Sequence, residues 1–347
     1  MRALTDRFPL ARMRTAIALG VTTACAGADP VPSAQQAWSQ RAPMPDARTE
    51  VSVTTAGNLI YVAGGFGMAG GQQPTAPRAL FVYDPAADAW TTADSIPEGV
   101  NHAGLVHLNG RLYLVGGFSG ATFTPTAAIR IFDLASRGWT EGAPMPTPRG
   151  ALAVVVLDGR IHAIGGNAAD ATSLDHAEHN LASDNSSVGT HEVYDPATNT
   201  WAHRAPLPTP RNHLGAAVVA GKIHAVAGRV GNDFTMTTHE VYDPATDLWT
   251  AAPPLPTGRS GVAVVEHRGR VYVFGGESAG LMSRTFDEAE RFDPASGTWE
   301  SMPPMLTARH GLGAAAIGPT IYVISGGPRP GFAFSAANEA LTPGQSD

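Results

Sequence analysis

Three side chains at matching positions of a repeated pattern could carry acid–base chemistry. The pattern recurs roughly every fifty residues, and most copies contain an arginine followed by two variable positions. The second variable position holds Glu50 in one copy, His102 in the next and His213 two copies later. A carboxyl group and an imidazole within hydrogen-bond reach can act as acid and base. We therefore predict Glu50, His102 and His213 as the catalytic candidates, provided that the copies meet in space.

The recurring arginine and several residues that interrupt the pattern are candidates for ligand binding. These candidates are Arg48, Arg149, Arg211, Arg229, Arg259, Glu277, Arg309 and His310. Guanidinium groups pair well with carboxylates and hydroxyl groups, so the set suits an anionic or polyhydroxylated ligand. The alternative is a structural arginine that recurs with the repeat and binds carbonyl or carboxylate groups of neighbouring units. Arg229, Glu277 and His310 are the better candidates for ligand binding, because the repeat does not require them.

A long loop in the third copy contains weak candidates for metal ligands. Residues 167–189 make this loop longer than its counterparts, and long loops in compact domains are often lids or binding loops. The loop contains Asp175, His176 and His179, but their spacing lacks the tighter pattern of structural zinc sites. We therefore expect a solvated polar loop, with no metal site and no cofactor.

Short strands must position all of these residues. Six tryptophans are 48 to 62 residues apart, and five of them follow an aromatic–aspartate pair at a constant distance. They are Trp38, Trp90, Trp139, Trp201, Trp249 and Trp299. Paired glycines and short runs rich in Val, Ile and Ala indicate four antiparallel strands in each copy, with Asp158-Gly159 as one hairpin turn. The pattern predicts an all-β propeller of six four-stranded blades.

The two ends of the repeat indicate how the ring closes. Trp38 belongs to a fourth strand without a preceding three, whereas the last copy, from Arg309 to about Leu341, has three strands and no tryptophan. The N-terminal strand should therefore complete the last blade and pair both open strand edges. This assignment places the propeller at 38–342, with a linker at 29–37 and a tail at 343–347.

The pattern resembles the kelch-repeat family, whose units carry a double glycine, an aromatic–aspartate pair and a distant tryptophan. One copy shows them as Gly165-Gly166, Tyr194-Asp195 and Trp201, and the resemblance covers nearly the whole region from 38 to 342. It implies a six-bladed propeller, of the exported bacterial type, and most such propellers bind proteins or peptides. Relatives also include galactose oxidase, whose copper site needs a cysteine-modified tyrosine, and bacterial sialic-acid mutarotases. No cysteine follows Cys25 here, so the copper activity is not implied.

Residues 1–28 have the features of an export signal. Four arginines precede a short apolar run and small residues around Cys25, as in secretory signal peptides. The run is too short to span a membrane. We expect a periplasmic or secreted protein that is cleaved near this point, and the alternative is a lipid anchor on Cys25.

The charge balance limits the function classes. A net charge of −7 opposes binding to phosphate backbones, which excludes nucleic-acid binding as a main function. The sequence favours a binding module for a peptide, protein or glycan at the mouth of the propeller, because no complete catalytic set is evident. One alternative is a sugar isomerase or mutarotase that uses Glu50, His102 and His213. The other is a purely structural repeat module.

Overall fold

Short antiparallel strands form the framework in the computed structural model, which describes residues 38–69, 73–168, 186–280 and 283–344. No helix occurs within these ranges, so they contain no helix able to cross a membrane. The predicted signal (1–28) and linker (29–37) lie outside the described residues, as do Asp175, His176 and His179.

The described residues contain 31 strands. In chain order they are β1 (Trp38–Gln40), β2 (Arg48–Thr49), β3 (Ser52–Ala56), β4 (Leu59–Ala63), β5 (Phe66–Ala69), β6 (Gln73–Thr75), β7 (Ala79–Asp84), β8 (Ala89–Ser95), β9 (Val100–Asn101), β10 (Gly104–Leu108), β11 (Arg111–Val115), β12 (Phe118–Ser119), β13 (Ile129–Asp133), β14 (Gly138–Glu141), β15 (Ala153–Leu157), β16 (Arg160–Ile164), β17 (His191–Asp195), β18 (Thr200–His203), β19 (Gly215–Val219), β20 (Lys222–Val226), β21 (His239–Asp243), β22 (Leu248–Ala251), β23 (Ala263–His267), β24 (Arg270–Phe274), β25 (Glu277–Ser278), β26 (Arg284–Thr285), β27 (Ala289–Asp293), β28 (Thr298–Met302), β29 (Gly313–Ile317), β30 (Thr320–Ile324) and β31 (Asn338–Leu341).

Six four-stranded antiparallel sheets make the blades. From the innermost to the outermost strand they are β3-β4-β7-β8, β10-β11-β13-β14, β15-β16-β17-β18, β19-β20-β21-β22, β23-β24-β27-β28 and β29-β30-β31-β1. The predicted hairpin turn joins β15 to β16, and Asp158 and Gly159 have φ values of 50° and 70°. Two successive positive φ values are typical of the two-residue turn that matches the twist of the strands. The all-β fold with four-stranded blades is confirmed.

The blades close into a ring through the N-terminal strand. Strand β1 pairs with β31, with Trp38 opposite Leu341 and Gln40 opposite Glu339. The innermost strands of neighbouring blades pack against each other in sequence, and β29 of the sixth blade packs against β3 of the first. The predicted pairing of the N-terminal strand with the last copy is therefore present.

The tryptophans join each blade to the preceding one. The Nε1 atom of Trp201 donates a hydrogen bond to the carbonyl oxygen of Ala143, which follows the outermost strand of the second blade, at 2.8 Å. Equivalent bonds of 2.8 to 2.9 Å come from Trp38, Trp90, Trp249 and Trp299. Within the part of the chain that the structure describes, the Nε1 atom of Trp139 has no acceptor. Five of the six tryptophans thus add an indole hydrogen bond to the contact between blades.

Candidate functional site

One residue from each blade contributes to a ring of backbone around the centre of the propeller, which we call the axial ring. Its members are Glu50, His102, Ala151, His213, Gly261 and Gly311. All six have φ between 52° and 65°, a left-handed conformation that is uncommon for residues other than glycine. The cost of this conformation, about 1–3 kcal/mol for each such residue, must be offset by the surrounding structure.

Hydrogen bonds between successive blades hold the axial ring together. The amide of Ala151 donates to the carbonyl of His102, and the amide of His213 donates to that of Ala151, both at 2.9 Å. Gly261 and Gly311 continue the series at 3.0 and 2.9 Å. Each backbone link brings a residue from one blade next to its counterpart in the next blade. Through these links Glu50, His102 and His213 meet in space, as the sequence predicted: one polar atom of each lies within 4.8 Å of the other two.

An adjacent asparagine orients each of the two histidines. His102 Nδ1 lies 2.6 Å from Asn101 Oδ1, and His213 Nδ1 lies 2.5 Å from Asn212 Oδ1. The amide of Asn101 is itself oriented, because its Nδ2 donates to the carbonyl of Gly120 at 2.9 Å. An amide oxygen only accepts, so each histidine carries its proton on Nδ1 and presents the lone pair of Nε2. Burial is the main reason that the pKa values of both histidines are well below their usual range.

The carboxyl group of Glu50 faces the first of these lone pairs. Glu50 Oε2 lies 3.3 Å from His102 Nε2. The pKa of Glu50 is raised to about 7, mainly because of burial; Glu277 adds to the rise, and His310 and Arg229 oppose it. A protonated Glu50 can donate a hydrogen bond to Nε2 of His102.

A second polar group lies beside this pair. Arg229 Nη1 is 2.9 Å from Glu277 Oε1, and Arg229 Nη2 is 2.9 Å from His213 Nε2. His310 Nε2 lies 3.7 Å from Glu50 and 3.6 Å from Glu277. The residues that interrupt the repeat therefore form one continuous network.

The residues of the axial ring line a small cavity of about 100 Å³. Each blade contributes a pair of consecutive residues, such as Glu50-Val51 and His213-Leu214. A space of this size accommodates a few water molecules, an ion or the end of one side chain.

Aromatic side chains surround this polar group, and the sequence analysis missed their arrangement. The ring centroid of His102 lies 5.4 Å from that of Phe118 and 5.9 Å from that of Phe123. Phe66 lies 5.7 Å from His102 and 5.2 Å from Phe332, and Phe332 is 36 % exposed. We call Phe66, Phe118, Phe123 and Phe332 the aromatic rim. Phe66 and Phe118 follow glycine pairs, but no repeat marks Phe123 or Phe332.

The five recurring arginines lie in the frame of the propeller, with no exposed surface. They are Arg48, Arg149, Arg211, Arg259 and Arg309. Arg211, for example, donates to the carbonyls of Ala225 and Ala227 in its own blade and forms an ion pair with Glu240 at 2.5 Å. The first blade has Phe81 at the position of this glutamate; Arg48 lies 4.8 Å from the ring centroid of Phe81 and forms an ion pair with Asp46 at 3.1 Å. These contacts match the structural alternative, and in this structure the five guanidinium groups present no surface to a ligand.

The second blade replaces this interaction with a different ion pair. Val100 occupies the arginine position, and Arg130 on the third strand occupies the glutamate position. The buried Arg130 pairs with Glu98, which lies two residues before Val100 and is 52 % exposed. A buried charge needs a partner, and here a carboxylate at the surface supplies it.

Two buried histidine pairs lie on neighbouring strands of the third and fourth blades, and the sequence analysis did not predict them. His162 Nδ1 lies 2.9 Å from His191 Nε2, and His224 Nδ1 lies 2.9 Å from His239 Nε2. Burial is the main reason that the pKa falls to about 3 for His162 and to about 4 for the other three. All four are neutral at pH 7 and belong to the frame.

The comparisons with known proteins agree with the geometry. The kelch motif model matches residues 47–96, 100–146, 210–256 and 258–306, which is more than half of the chain. The kelch-like protein terF of Aspergillus terreus is 35 % identical over 89 residues, which cover 25 % of this chain and 19 % of that protein. Kelch-like protein 24 of Rattus norvegicus is 31 % identical over 80 residues, covering 23 % and 12 %.

A human relative gives a similar alignment. The kelch repeat and BTB domain-containing protein 12 of Homo sapiens is 33 % identical over 95 residues, covering 25 % of this chain and 15 % of that protein. The alignments thus span less than a fifth of the length of each of these relatives. Four matched motifs within a ring of four-stranded blades show that the chain belongs to the kelch-repeat family.

Proposed function

We propose that this propeller binds a protein or peptide at the aromatic rim and receives one ligand side chain in the axial cavity. Kelch repeats themselves suggest a protein-binding propeller module. The observation that carries the proposal is the aromatic rim beside the buried polar group: Phe66 and Phe118 are buried against His102, and Phe332, which contacts Phe66, is 36 % exposed. Apolar surroundings with a few converging polar groups are typical of ligand sites.

The charges at the site favour a ligand group that donates hydrogen bonds. The recurring arginines are buried in the frame, so the anionic ligand that the sequence favoured loses its five main partners. Arg229 is already paired with Glu277, and Glu50 adds a second carboxyl group. A lysine or arginine side chain, or a hydroxyl group, complements these acceptors better than a carboxylate does.

Array binding tests the proposal. The full chain should bind a subset of a peptide array, and the variants Phe332→Ala and Glu50→Gln should lose that binding. Leu248→Ala is the matched control, because Leu248 is 58 % exposed on the outermost strand β22 and should bind as the wild type does. Equal binding by all three variants would move the site elsewhere. Binding only to a glycan array would replace the peptide with a glycan.

A second candidate function is acid–base isomerisation of a sugar, as in a mutarotase. It is favoured by the 3.3 Å contact between Glu50 Oε2 and His102 Nε2 beside the cavity. Anomer exchange of acidic sugars, followed by NMR, should be accelerated by the wild type and not by Glu50→Gln. Absence of acceleration with a broad panel of sugars rejects this candidate. If no ligand or substrate is found in either experiment, the purely structural role remains.

We also propose that the chain is exported. The support is the arginine-rich, apolar and small-residue order of 1–28. Mass spectrometry of protein made in a bacterial host should show loss of this segment, whereas an intact N-terminus in the cytoplasm would contradict export. A lipid on Cys25 would appear as an added acyl mass.

A further inference from the structure

We propose that Glu50, His102 and His213 bind a first-row transition metal ion at the centre of the axial ring. One ligating atom from each side chain lies within 4.8 Å of the other two. Glu50 Oε2 and His102 Nε2 are 3.3 Å apart, as expected for two ligands about 2.0–2.1 Å from a tetrahedral Zn²⁺. Two imidazoles and a carboxylate are a donor set for Zn²⁺ or Fe²⁺ that leaves other coordination positions open.

The asparagine partners supply what a metal-binding histidine needs on its other nitrogen. Metal-ligating histidines donate their second ring N–H to a carbonyl, a carboxylate or water, which sets the tautomer. Asn101 Oδ1 and Asn212 Oδ1 accept this bond at 2.6 and 2.5 Å. The same asparagine–histidine dipeptide occurs in two different blades, and in both it leaves the lone pair of Nε2 as the ligating group.

The backbone holds the three ligands in a rigid arrangement. Each ligand has a left-handed backbone conformation, and each is linked by its backbone amide or carbonyl group to the neighbouring blades. Because the ligands come from three blades, their separation is determined by the ring and not by a flexible loop. Sites built on rigid elements keep their geometry without bound metal.

Arg229 competes with the metal for one ligand. Its Nη2 atom lies 2.9 Å from His213 Nε2 and therefore occupies the lone pair that a metal ion would use. The guanidinium group also contacts Glu277 at 2.9 Å and lies 4.3 Å from the ring centroid of Phe234. These contacts can retain Arg229 after it leaves His213. Metal binding thus exchanges a cationic side chain for a metal cation, beside the two carboxyl groups of Glu50 and Glu277.

Calorimetric titration of the chelator-treated full chain with Zn²⁺ tests the proposal, and Co²⁺ absorption reports the ligand geometry. We expect one ion per chain. Glu50→Gln and His102→Asn should weaken binding by more than the roughly 10- to 100-fold expected for Asn101→Ala, which removes an outer-shell partner. Asparagine tolerates the left-handed backbone at position 102. Arg229→Met removes the competitor and no ligand, so it should tighten binding.

Two control variants separate this site from other histidines. His203→Ala removes a side chain that is 72 % exposed, and the double variant His176→Ala/His179→Ala removes the loop candidates; both should bind Zn²⁺ as the wild type does. Absence of binding, or binding abolished by the loop variant and unchanged by Glu50→Gln, overturns the proposal. If His102→Asn does not fold, His213→Asn replaces it. Weaker binding by Arg229→Met would also contradict the assigned competition.

Discussion

Loss of the buried glutamate beside a recurring arginine should destabilise the propeller strongly. Glu240→Gln leaves the guanidinium group of Arg211 in the interior, where neither side chain has appreciable exposure. Glu240 Oε1 accepts hydrogen bonds from the amide and hydroxyl groups of Thr209, at 3.1 and 2.8 Å. A glutamine that keeps those bonds must direct its NH₂ group at the donors of Arg211. Removing one partner of a buried ion pair costs about 3–5 kcal/mol.

A surface pair in the next blade provides the matched control. Arg270 and Asp293 are 3.2 Å apart and about a quarter exposed, and such pairs contribute roughly 0–1 kcal/mol. Asp293→Asn should therefore change stability by less than about 1 kcal/mol. The double variant Arg211→Met/Glu240→Leu removes both charges together and should lose less than Glu240→Gln does.

Urea denaturation measures these differences, with the slope of the transition checked in every variant. We expect a clearly lower midpoint for Glu240→Gln, a midpoint close to that of the wild type for Asp293→Asn, and an intermediate midpoint for the double variant. Equal midpoints for Glu240→Gln and the wild type would refute a structural role for the recurring arginine and would reopen its role in ligand binding.

Three further predictions concern the frame. The four histidines of the buried pairs have pKa values below 6.5 in the folded state, so the unfolded chain binds protons first as the pH falls. The free energy of unfolding should therefore decrease from pH 6.5 towards pH 4 by up to several kcal/mol. Urea denaturation at pH 7 and pH 5 should show a smaller decrease for His162→Tyr/His224→Tyr than for the wild type. Deleting residues 36–46 removes β1 from the sixth blade and should sharply lower the melting temperature, whereas an unchanged value would mean that the ring does not need this strand. A Cβ at Gly313 would lie 2.1 Å from Val53 Cγ2 in the first blade, so Gly313→Ala should lower the free energy of unfolding by roughly 1–3 kcal/mol. Ala316→Gly on the same strand is the control and should lower it by less. Gly318→Ala is not used as the control, because the φ of Gly318 is positive.

Much of the fold could be predicted from the sequence because the same strand pattern recurs six times. One copy of a strand pattern is ambiguous, but six tryptophans at similar spacing predict a repeated contact between neighbours, and five of the six indoles donate a hydrogen bond to the preceding blade. The unmatched Trp38 likewise predicted the pairing of β1 with β31, because an open sheet edge needs a partner.

The role of the recurring arginine could not be decided from the sequence. Its spacing is equally compatible with a ligand-binding mouth and with a structural interaction. The alternatives differ in the direction of the side chain, and that direction depends on a glutamate 29 to 43 residues further along the chain. In the second blade the arginine position holds Val100, and the arginine at the glutamate position, Arg130, pairs with the half-exposed Glu98 instead.

The candidate site also combines features that the sequence predicted with features that only the structure shows. The period of the repeat placed Glu50, His102 and His213 at equivalent positions, and this required only counting. The rest of the site depends on distances between atoms of different blades. These distances determine the histidine lone pairs at the centre, the competition by Arg229 and the aromatic contacts of Phe123 and Phe332. Such distances exist only after the ring closes, because residues as far apart as Glu50 and His310, 260 positions along the chain, then become neighbours. The sequence alone determined the repeat and the four strands of each blade, whereas the tertiary structure decided the seven short strands that the described residues form outside the blades, which polar groups meet and which are buried in the frame.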